Sequence, residues 1–220
     1  MAGKQTIDEA VLIGINSVLI VVIVSSFIGA VTCVQTAYNL VSPLVPSYII
    51  STVVRDMTIL ELAPTITCIV LAGKVGSNIA GQLGTMRITE QIDALEVMGI
   101  NSASYLILPK IIASVLTIPM LVVLSGSLSI LGGYIAGVMT GVLTDRDYIY
   151  GIQSDFNAFS VKFALIKSIV FSLLISSISS FQGYYTKGGA LEVGQSSTTA
   201  VVKSCIAVLL ADFILAQLLL

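Results

Sequence analysis

Few residues of this sequence belong to the types that catalyse reactions or bind metal ions. Histidine is absent, which removes Ser-His-Asp triads, Cys-His pairs and the commonest metal ligand together. Cys33, Cys68 and Cys205 lie far apart in apolar surroundings, so we expect buried thiols instead of a disulfide framework or a zinc site. The sequence therefore predicts no catalytic residue, no metal site and no enzyme activity.

A nucleotide site would need a P-loop, and one segment approaches that pattern. Ala72-Gly73-Lys74-Val75 supplies its Gly-Lys pair. The pattern also requires a glycine where this chain has Cys68, and a Ser or Thr where it has Val75. We therefore expect no cofactor bound by this chain, and any hydrolysis of ATP with Mg²⁺ must take place in a separate subunit.

The remaining candidates for chemistry are charged side chains inside apolar segments. A carboxylate in a membrane span is costly and is a functional candidate by default, which applies to Glu61 and Asp212. Glu61 can alternatively pair with Arg55 or cap its helix. Asp212, Lys167 and Lys203 suit an internal pairing set or side chains that extend to the membrane surface. An ion-coupled secondary transporter would use such carboxylates, but it predicts an inverted repeat that the sequence does not show.

Long apolar segments hold these residues. The chain is 56% hydrophobic and 10% charged, with a mean hydropathy of +1.02, whereas soluble domains carry about 25% charged residues. A net charge of −2 without a basic run excludes a nucleic-acid-binding protein. A membrane-spanning helix needs about 20 apolar residues. Five segments meet this demand, at roughly 11–34, 57–83, 111–144, 163–185 and 198–220.

These spans predict an all-α integral membrane protein with a single permease domain over residues 1–220. Pro119 is expected to kink the third span, and the proline-broken stretch 39–55 is a candidate re-entrant segment. With the N-terminus in the cytoplasm, Lys4, Arg87 and Lys187 lie on the inner side, and Arg55 and Arg146 lie in outer loops. This arrangement follows the excess of basic residues in cytoplasmic loops.

Small residues recur every four positions in the second, third and fourth spans. Such residues let membrane helices approach closely. Packing within one bundle is the simpler interpretation, and a dimer interface is the alternative. The predicted packing residues are Gly73, Gly76, Ser77, Gly81 and Gly84 in the second span, with Gly133 and Gly137 in the third; Ser168, Ser172, Ser176 and Ser180 follow in the fourth.

The charged segment between the second and third spans predicts a short amphipathic helix at about 85–99. Ile88, Ile92, Leu95 and Gly99 fall on one helical stripe, whereas Glu90, Asp93 and Glu96 fall on another. Thr89 is a candidate cap, and Glu90 suits the first turn. The acidic face favours a protein partner over anionic lipid. A merely solvated loop helix is the alternative.

Several of these segments together resemble the MlaE/YrbE permeases of MCE-type lipid ABC transporters. The resemblance rests on Glu61-Leu62-Ala63-Pro64, on the run from Ala72 to Ser77, and on the run from Leu83 to Gly99. It departs from the family at Leu60, where some members have Arg. Lys74 and Lys110 also replace a common Arg, which keeps the charge and loses the bidentate fork.

The resemblance implies a homodimer of five-span permeases, bound to cytoplasmic ABC ATPase subunits and to an MCE-domain lipid-binding protein. The expected function is ATP-driven movement of phospholipid or a related lipid, in the inner membrane of a diderm bacterium. The resemblance does not decide between a bacterial and a plastid origin, and it gives neither the direction of transport nor the exact lipid. The resemblance also implies a set of site residues. Those expected to couple to the ATPase are Arg87, Thr89, Glu90, Asp93, Glu96 and Met98, and those expected near the lipid are Gln35, Tyr38 and Glu61.

Overall fold

The computed structural model describes residues 2–40 and 46–219 of the chain. Regular structure within these ranges is entirely helical and comprises nine α-helices and two π-helical segments. The α-helices are α1 (Ala2–Asn39), α2 (Tyr48–Met57), α3 (Thr67–Leu71), α4 (Ser77–Ile88), α5 (Gln91–Val97), α6 (Ser102–Met139), α7 (Asp145–Gln153), α8 (Ala158–Tyr184) and α9 (Ala190–Leu219). The π-helical segments are Thr58–Ile66 and Ala72–Gly76.

Five helical stretches in the described residues are long and apolar enough to cross a membrane. They are Lys4–Asn39, Tyr48–Ile88, Ser102–Met139, Ala158–Tyr184 and Ala190–Leu219. The predicted all-α membrane fold and the count of five spans are therefore confirmed.

Several span boundaries differ from the prediction. The second span begins at Tyr48, so residues 48–55 are its first turns and not a separate re-entrant piece; residues 41–45 lie outside the described residues. The third span covers Ser102–Met139 instead of about 111–144, and the fifth begins at Ala190 instead of about 198. A carboxylate oxygen of Glu192 accepts a hydrogen bond from the Gly189 N–H at 2.8 Å, which stabilises this helix start.

The second span contains both π-helical segments, on either side of α3. A π-helical turn bonds residues five apart and is commonest as a bulge at functional positions. Pro64 lies in the first segment, and proline lacks the N–H that a regular α-helix would use. The first segment contains the Glu61–Pro64 motif, and the second is the Ala72–Gly76 part of the other motif in this span.

Close packing divides the chain into two compact units. Unit 1 contains the chain up to Val18, Cys68–Met120 and the chain from Lys167, and unit 2 contains Leu19–Thr67 and Leu121–Ile166. Four of the five spans pass from one unit into the other, whereas α9 belongs to unit 1. The single permease domain stays a prediction.

In unit 2, α1 and α6 approach until their backbones touch. A Cβ added at Gly29 would overlap the carbonyl oxygen of Ser129, and one added at Gly132 would overlap that of Ser26. The hydroxyl of Ser25 donates to that of Ser125 at 2.8 Å. Close contact through small residues is the expected way to hold membrane helices together. A buried cluster lies beside this contact and consists of Cys33, Ala37, Ile50, Val54, Leu143 and Tyr148.

In unit 1, α8 packs against the second span and α9. Gly183 leaves room for the backbone of Ala80, whose carbonyl oxygen would lie 2.5 Å from an added Cβ. The Nζ of Lys167 lies 2.5 Å from Oδ1 of Asp212, and Lys167 is fully buried. Serines of α8 bond to their own helix, since Ser176 Oγ donates to the Ser172 carbonyl at 2.7 Å. The predicted pairing of Asp212 is thus with Lys167, whereas Lys203 is exposed.

Candidate functional site

The charged segment after the second span consists of two helices joined by a sharp turn. α4 continues from the span to Ile88, and α5 begins at Gln91. Glu90 between them has a φ of +60°, a left-handed conformation that is uncommon outside glycine. The short helix predicted between the second and third spans is therefore present, but it covers Gln91–Val97 instead of about 85–99, because α4 continues the span to Ile88 and the chain turns before α5.

The predicted cap and first turn of this segment also differ. Thr89 ends α4, and its Oγ1 donates back to the Thr85 carbonyl at 2.8 Å. Glu90 precedes α5 and makes no side-chain cap. Thr89 therefore stabilises the last turn of α4, where a Thr hydroxyl competes well for a carbonyl four residues back.

An ion pair holds the two helices together across the turn. Arg87 Nη1 of α4 lies 2.6 Å from Oδ1 of Asp93 in α5. On the inner side of α5, Ile92 is completely buried and Leu95 is half-buried. Ile88, Ile92 and Leu95 of the predicted apolar stripe thus face the protein, whereas Gly99 is exposed. Because Arg87 and Asp93 form this contact, they fix the orientation of α5 in addition to contributing charge to its surface.

Glu96 is bonded to its own chain. Its Oε1 accepts hydrogen bonds from Ser102 Oγ at 2.9 Å and from the Tyr184 hydroxyl at 3.0 Å. The two hydroxyl oxygens lie 2.7 Å apart. The hydrogen bond from Ser102, followed by that from Tyr184, lowers the pKa of the Glu96 carboxyl. We call these three residues the Glu96 triad, and it ties α5 to the start of α6 and the end of α8.

The outer side of α5 is apolar. Val97 is 89% exposed and Met98 is 65% exposed. Ala94, Val97 and Met98 are spaced as i, i+3 and i+4, so they share one surface, which we call the exposed apolar face. The sequence analysis named Met98 as a candidate and missed Val97. Val97 is an apolar residue outside the Ile88–Ile92–Leu95 stripe, and this position could have marked it as exposed. Single exposed apolar residues are ordinary, but two beside each other on a short helix suit a contact with another protein.

The predicted lipid-binding residues all lie in unit 2. Gln35 and Tyr38 are exposed on α1, with Tyr38 83% exposed. Glu61 is exposed on the first π-helical segment, and its Oε1 accepts a hydrogen bond from Thr65 Oγ1 at 3.3 Å. The structure thus presents each of these side chains at a surface of unit 2.

Arg55, the possible partner of Glu61, has another role. It is 3% exposed, lies 2.8 Å from Asp56 Oδ1 and donates to the Ile152 carbonyl at 2.8 Å. It also donates to the Ser154 carbonyl. These carbonyls lie at the C-terminal end of α7, where a cation is favourable. Sequence reasoning placed Arg55 in an outer loop and missed this buried capping contact.

An apolar cavity of about 210 Å³ lies in unit 2 beside the first π-helical segment. Ile59 and Ala63 of that segment line it, on either side of Glu61 in the sequence. Apolar walls of this kind are suited to binding a hydrocarbon chain. The other lining residues belong to α6 and to the first part of α8, namely Val122, Val123, Gly126, Ser127, Ile130, Val161, Ala164 and Leu165.

The predicted packing residues contribute unequally. A Cβ added at Gly76 would lie 2.9 Å from Ser179 Oγ, and one at Gly84 would lie 3.1 Å from Val193. Gly133 and Gly137 are equally tight, against the Tyr148 hydroxyl at 2.8 Å and Cys33 Sγ at 3.0 Å. A Cβ added at Gly81 would make only an ordinary contact, and one added at Gly73 would meet nothing within 4 Å among the described residues. Ser77 bonds to the Gly73 carbonyl of its own helical stretch.

Comparison with known proteins places these features in one family. The family described as Permease MlaE matches residues 6–218. A probable ABC transporter permease protein of Rickettsia bellii is 35% identical over 96% of this chain and 82% of its own length. A probable ABC transporter permease protein of Synechocystis is 34% identical over 98% of this chain and 82% of its own length.

A plant relative is also similar. The chloroplastic protein TRIGALACTOSYLDIACYLGLYCEROL 1 of Arabidopsis thaliana is 39% identical over 71% of this chain and 45% of its own length. The matches to the bacterial relatives and to the family extend over nearly the whole chain and include all five spans. The chain is therefore a multi-pass membrane protein that belongs to the MlaE family of ABC transporter permeases.

Proposed function

We propose that this chain is the membrane-spanning subunit of an ATP-driven transporter that moves phospholipid or a related lipid between membranes of the cell envelope. Two copies form the permease, cytoplasmic ABC ATPase subunits drive it, and an MCE-domain protein on the opposite side of the membrane handles the lipid. The assembly belongs in the inner membrane of a diderm bacterium. The plant relative supports a lipid substrate, because it is named after trigalactosyldiacylglycerol, a galactolipid.

The exposed apolar face of α5 carries the proposed contact with the ATPase. α5 projects from the end of the second span and is held by the Arg87–Asp93 ion pair. Val97 and Met98 supply apolar area at its surface, and Glu90 supplies negative charge at the turn. This combination of an apolar centre and a charged rim is typical of protein interfaces.

The Glu96 triad gives that contact a mechanical consequence. Movement of α5 changes the position of Glu96, whose hydrogen bonds run to Ser102 at the start of α6 and to Tyr184 at the end of α8. Hydrogen bonds to an ionised group are stronger than neutral ones. An ATPase that displaces α5 therefore pulls directly on two membrane-spanning helices. In this arrangement ATP and Mg²⁺ are used by the partner, and no cofactor binds this chain.

For the lipid, unit 2 supplies apolar walls and a few polar groups. The cavity of about 210 Å³ beside the first π-helical segment suits part of an acyl chain. Glu61, Gln35 and Tyr38 are the candidates for headgroup contacts. An ion-coupled carrier built on buried carboxylates has less support, since Asp212 is already neutralised by Lys167.

Co-purification tests the proposal directly. Val97→Asp with Met98→Asp places charge in the exposed apolar face and should release the ATPase while the permease stays folded in the membrane. Ile149→Asp is the matched control, because Ile149 is a 49% exposed apolar residue on α7, the other short helix that connects two spans. Equal ATPase recovery from both variants would overturn the docking assignment. Transport by a preparation without ATPase would support the ion-coupled carrier instead.

A further inference from the structure

Two polar stripes face a common crevice in unit 1. Lys74, Asn78 and Gln82 recur every four residues from the second π-helical segment into α4. Glu9 and Asn16 belong to the part of α1 that lies opposite. Polar side chains inside membrane spans are expensive and mark pathways or binding sites. The crevice is therefore a candidate site that neither helix packing nor α5 explains.

Two adjoining cavities form this crevice. One has a volume of about 850 Å³ and reaches Asp8, Glu9 and Lys110, and the other has about 510 Å³ and reaches Lys74. Leu12 and Asn78 line both of them. Small-molecule sites typically occupy about 300–1,000 Å³. Either part is large enough to receive a polar headgroup.

The larger cavity contains a cation that is already neutralised. Lys110 is 4% exposed, and its Nζ donates to a carboxylate oxygen of Glu9 and to Gln82 Oε1, the latter at 2.6 Å. A buried charge needs such partners. Lys110 of α6 therefore links α1 and α4 beside the crevice. Because Glu9 neutralises it, Lys110 offers little positive charge to a ligand.

Lys74 in the smaller cavity has no comparable partner. Its Nζ donates to the backbone carbonyl of Asn16, and no carboxylate contacts it among the residues that the structure describes. Lys74 is half-buried, and the neighbouring Asn78 is exposed to the same cavity. Lysine has three donors, so this ammonium retains both charge and hydrogen-bonding capacity directed at an open polar space.

We propose that the crevice beside Lys74 binds the phosphate of a phospholipid headgroup. A phosphate supplies the missing negative charge and accepts hydrogen bonds from the Lys74 ammonium and from the Asn78 amide, and both are charge-assisted because the phosphate is ionised. In a membrane, phospholipid is the phosphate source at highest local concentration. In unit 1, α1 also carries exposed apolar residues near the crevice, with Val11 50% and Ile15 67% exposed, so the acyl chains would lie along them.

The π-helical conformation of Ala72–Gly76 gives this site a structural reason. In a regular α-helix, the direction of the Lys74 side chain would follow from the register of the preceding turns. The π-helical segment over Ala72–Gly76 changes that register and therefore the direction of Lys74. A Cβ added at the neighbouring Gly73 would meet nothing within 4 Å among the described residues, so the side of the helix at Gly73 is not covered by another helix of the described chain. This proposal rests on membrane insertion alone and does not require the ATPase.

Native mass spectrometry of the purified chain in nanodiscs tests it. The discs contain equal amounts of dioleoylphosphatidylglycerol and dioleoylglycerol, which share acyl chains and differ in the phosphate-containing headgroup. We expect the phospholipid to be retained selectively, and Lys74→Gln to lower its retention by about tenfold, as the loss of one charge-assisted contact predicts. Lys74→Arg should restore retention. Lys203→Gln is the matched control, because Lys203 is an exposed lysine of another span.

Three outcomes would overturn the assignment. Retention that is equal for the two lipids, or that is unchanged in Lys74→Gln, removes the headgroup site. Displacement of the phospholipid by millimolar inorganic phosphate, with no preference for lipid, would identify free phosphate as the ligand. If Lys74→Gln fails to fold, Asn78→Leu provides the same test. Asn78 lines the cavity, and because it is exposed, its replacement removes little packing.

Discussion

The Tyr184 hydroxyl donates a 3.0 Å hydrogen bond to Oε1 of Glu96, although the two residues are 88 positions apart in the chain. Tyr184 is the last residue of α8, and Glu96 lies in α5. Ser102, at the first position of α6, bonds to the same carboxylate oxygen. One carboxylate therefore connects the proposed ATPase contact with two membrane-spanning helices.

Removing the triad should separate ATP hydrolysis from transport. In the assembled transporter, Tyr184→Phe combined with Ser102→Ala leaves the exposed apolar face intact, so the ATPase should still co-purify and hydrolyse ATP. Lipid transfer should fall by roughly tenfold, since two hydrogen bonds to a charged group are lost. Tyr185→Phe is the control, because Tyr185 is exposed and is not a member of the triad. Parallel losses of ATPase activity and transport would contradict a transmitting role.

The triad should also respond to pH. The hydrogen bonds from Ser102 and Tyr184 lower the pKa of Glu96, so they stabilise the folded segment above the ordinary carboxyl pKa. That contribution is lost as the pH falls through the lowered pKa. Carbon NMR of the labelled carboxyl should show Glu96 titrating below an ordinary glutamate, and Ser102→Ala should raise its pKa. An unchanged titration in this variant would show that the hydrogen bond is not formed in solution.

The contact between α1 and α6 should tolerate no side chain at Gly29. Gly29→Ala places a methyl group on the carbonyl oxygen of Ser129, so the helices must separate. We expect a loss of about 1–3 kcal/mol, as in other overpacked contacts, measured as a lower unfolding temperature in detergent. Gly73→Ala is the matched control within the second span, because its added methyl meets nothing within 4 Å. Equal effects of both substitutions would contradict the close approach.

The Lys167–Asp212 pair should show strong coupling. Lys167→Met leaves the Asp212 carboxylate, only 13% exposed, without its cation, and the expected destabilisation is about 3–5 kcal/mol. Replacing both residues with Leu removes the two charges together and should restore much of the stability. A double-mutant cycle on unfolding in detergent measures this coupling. Additive losses would mean that the two groups are solvated separately.

Composition and spacing were sufficient to predict the membrane class and the five spans. These properties depend on the free energy of transferring a whole segment from water to hydrocarbon. That free energy follows from the segment's own length and composition, whatever the segment packs against. The stripe with Ile92 was predictable for the same reason, since an amphipathic period is a local property. The family motifs were likewise readable as a continuous run of letters.

Only the tertiary structure decided which polar groups meet. Glu96 looked like part of an acidic surface until Ser102 and Tyr184 were placed beside it, and Arg55 looked like a loop cation until α7 presented its carbonyls. Gly29 and Gly132 lie at close backbone contacts in unit 2, whereas a Cβ added at Gly73 would meet nothing within 4 Å among the described residues. Local patterns determine which side of a helix is apolar, but the partner on that side depends on contacts between residues far apart in the chain. Those contacts are set by packing, and one sequence read along its length does not contain their distances.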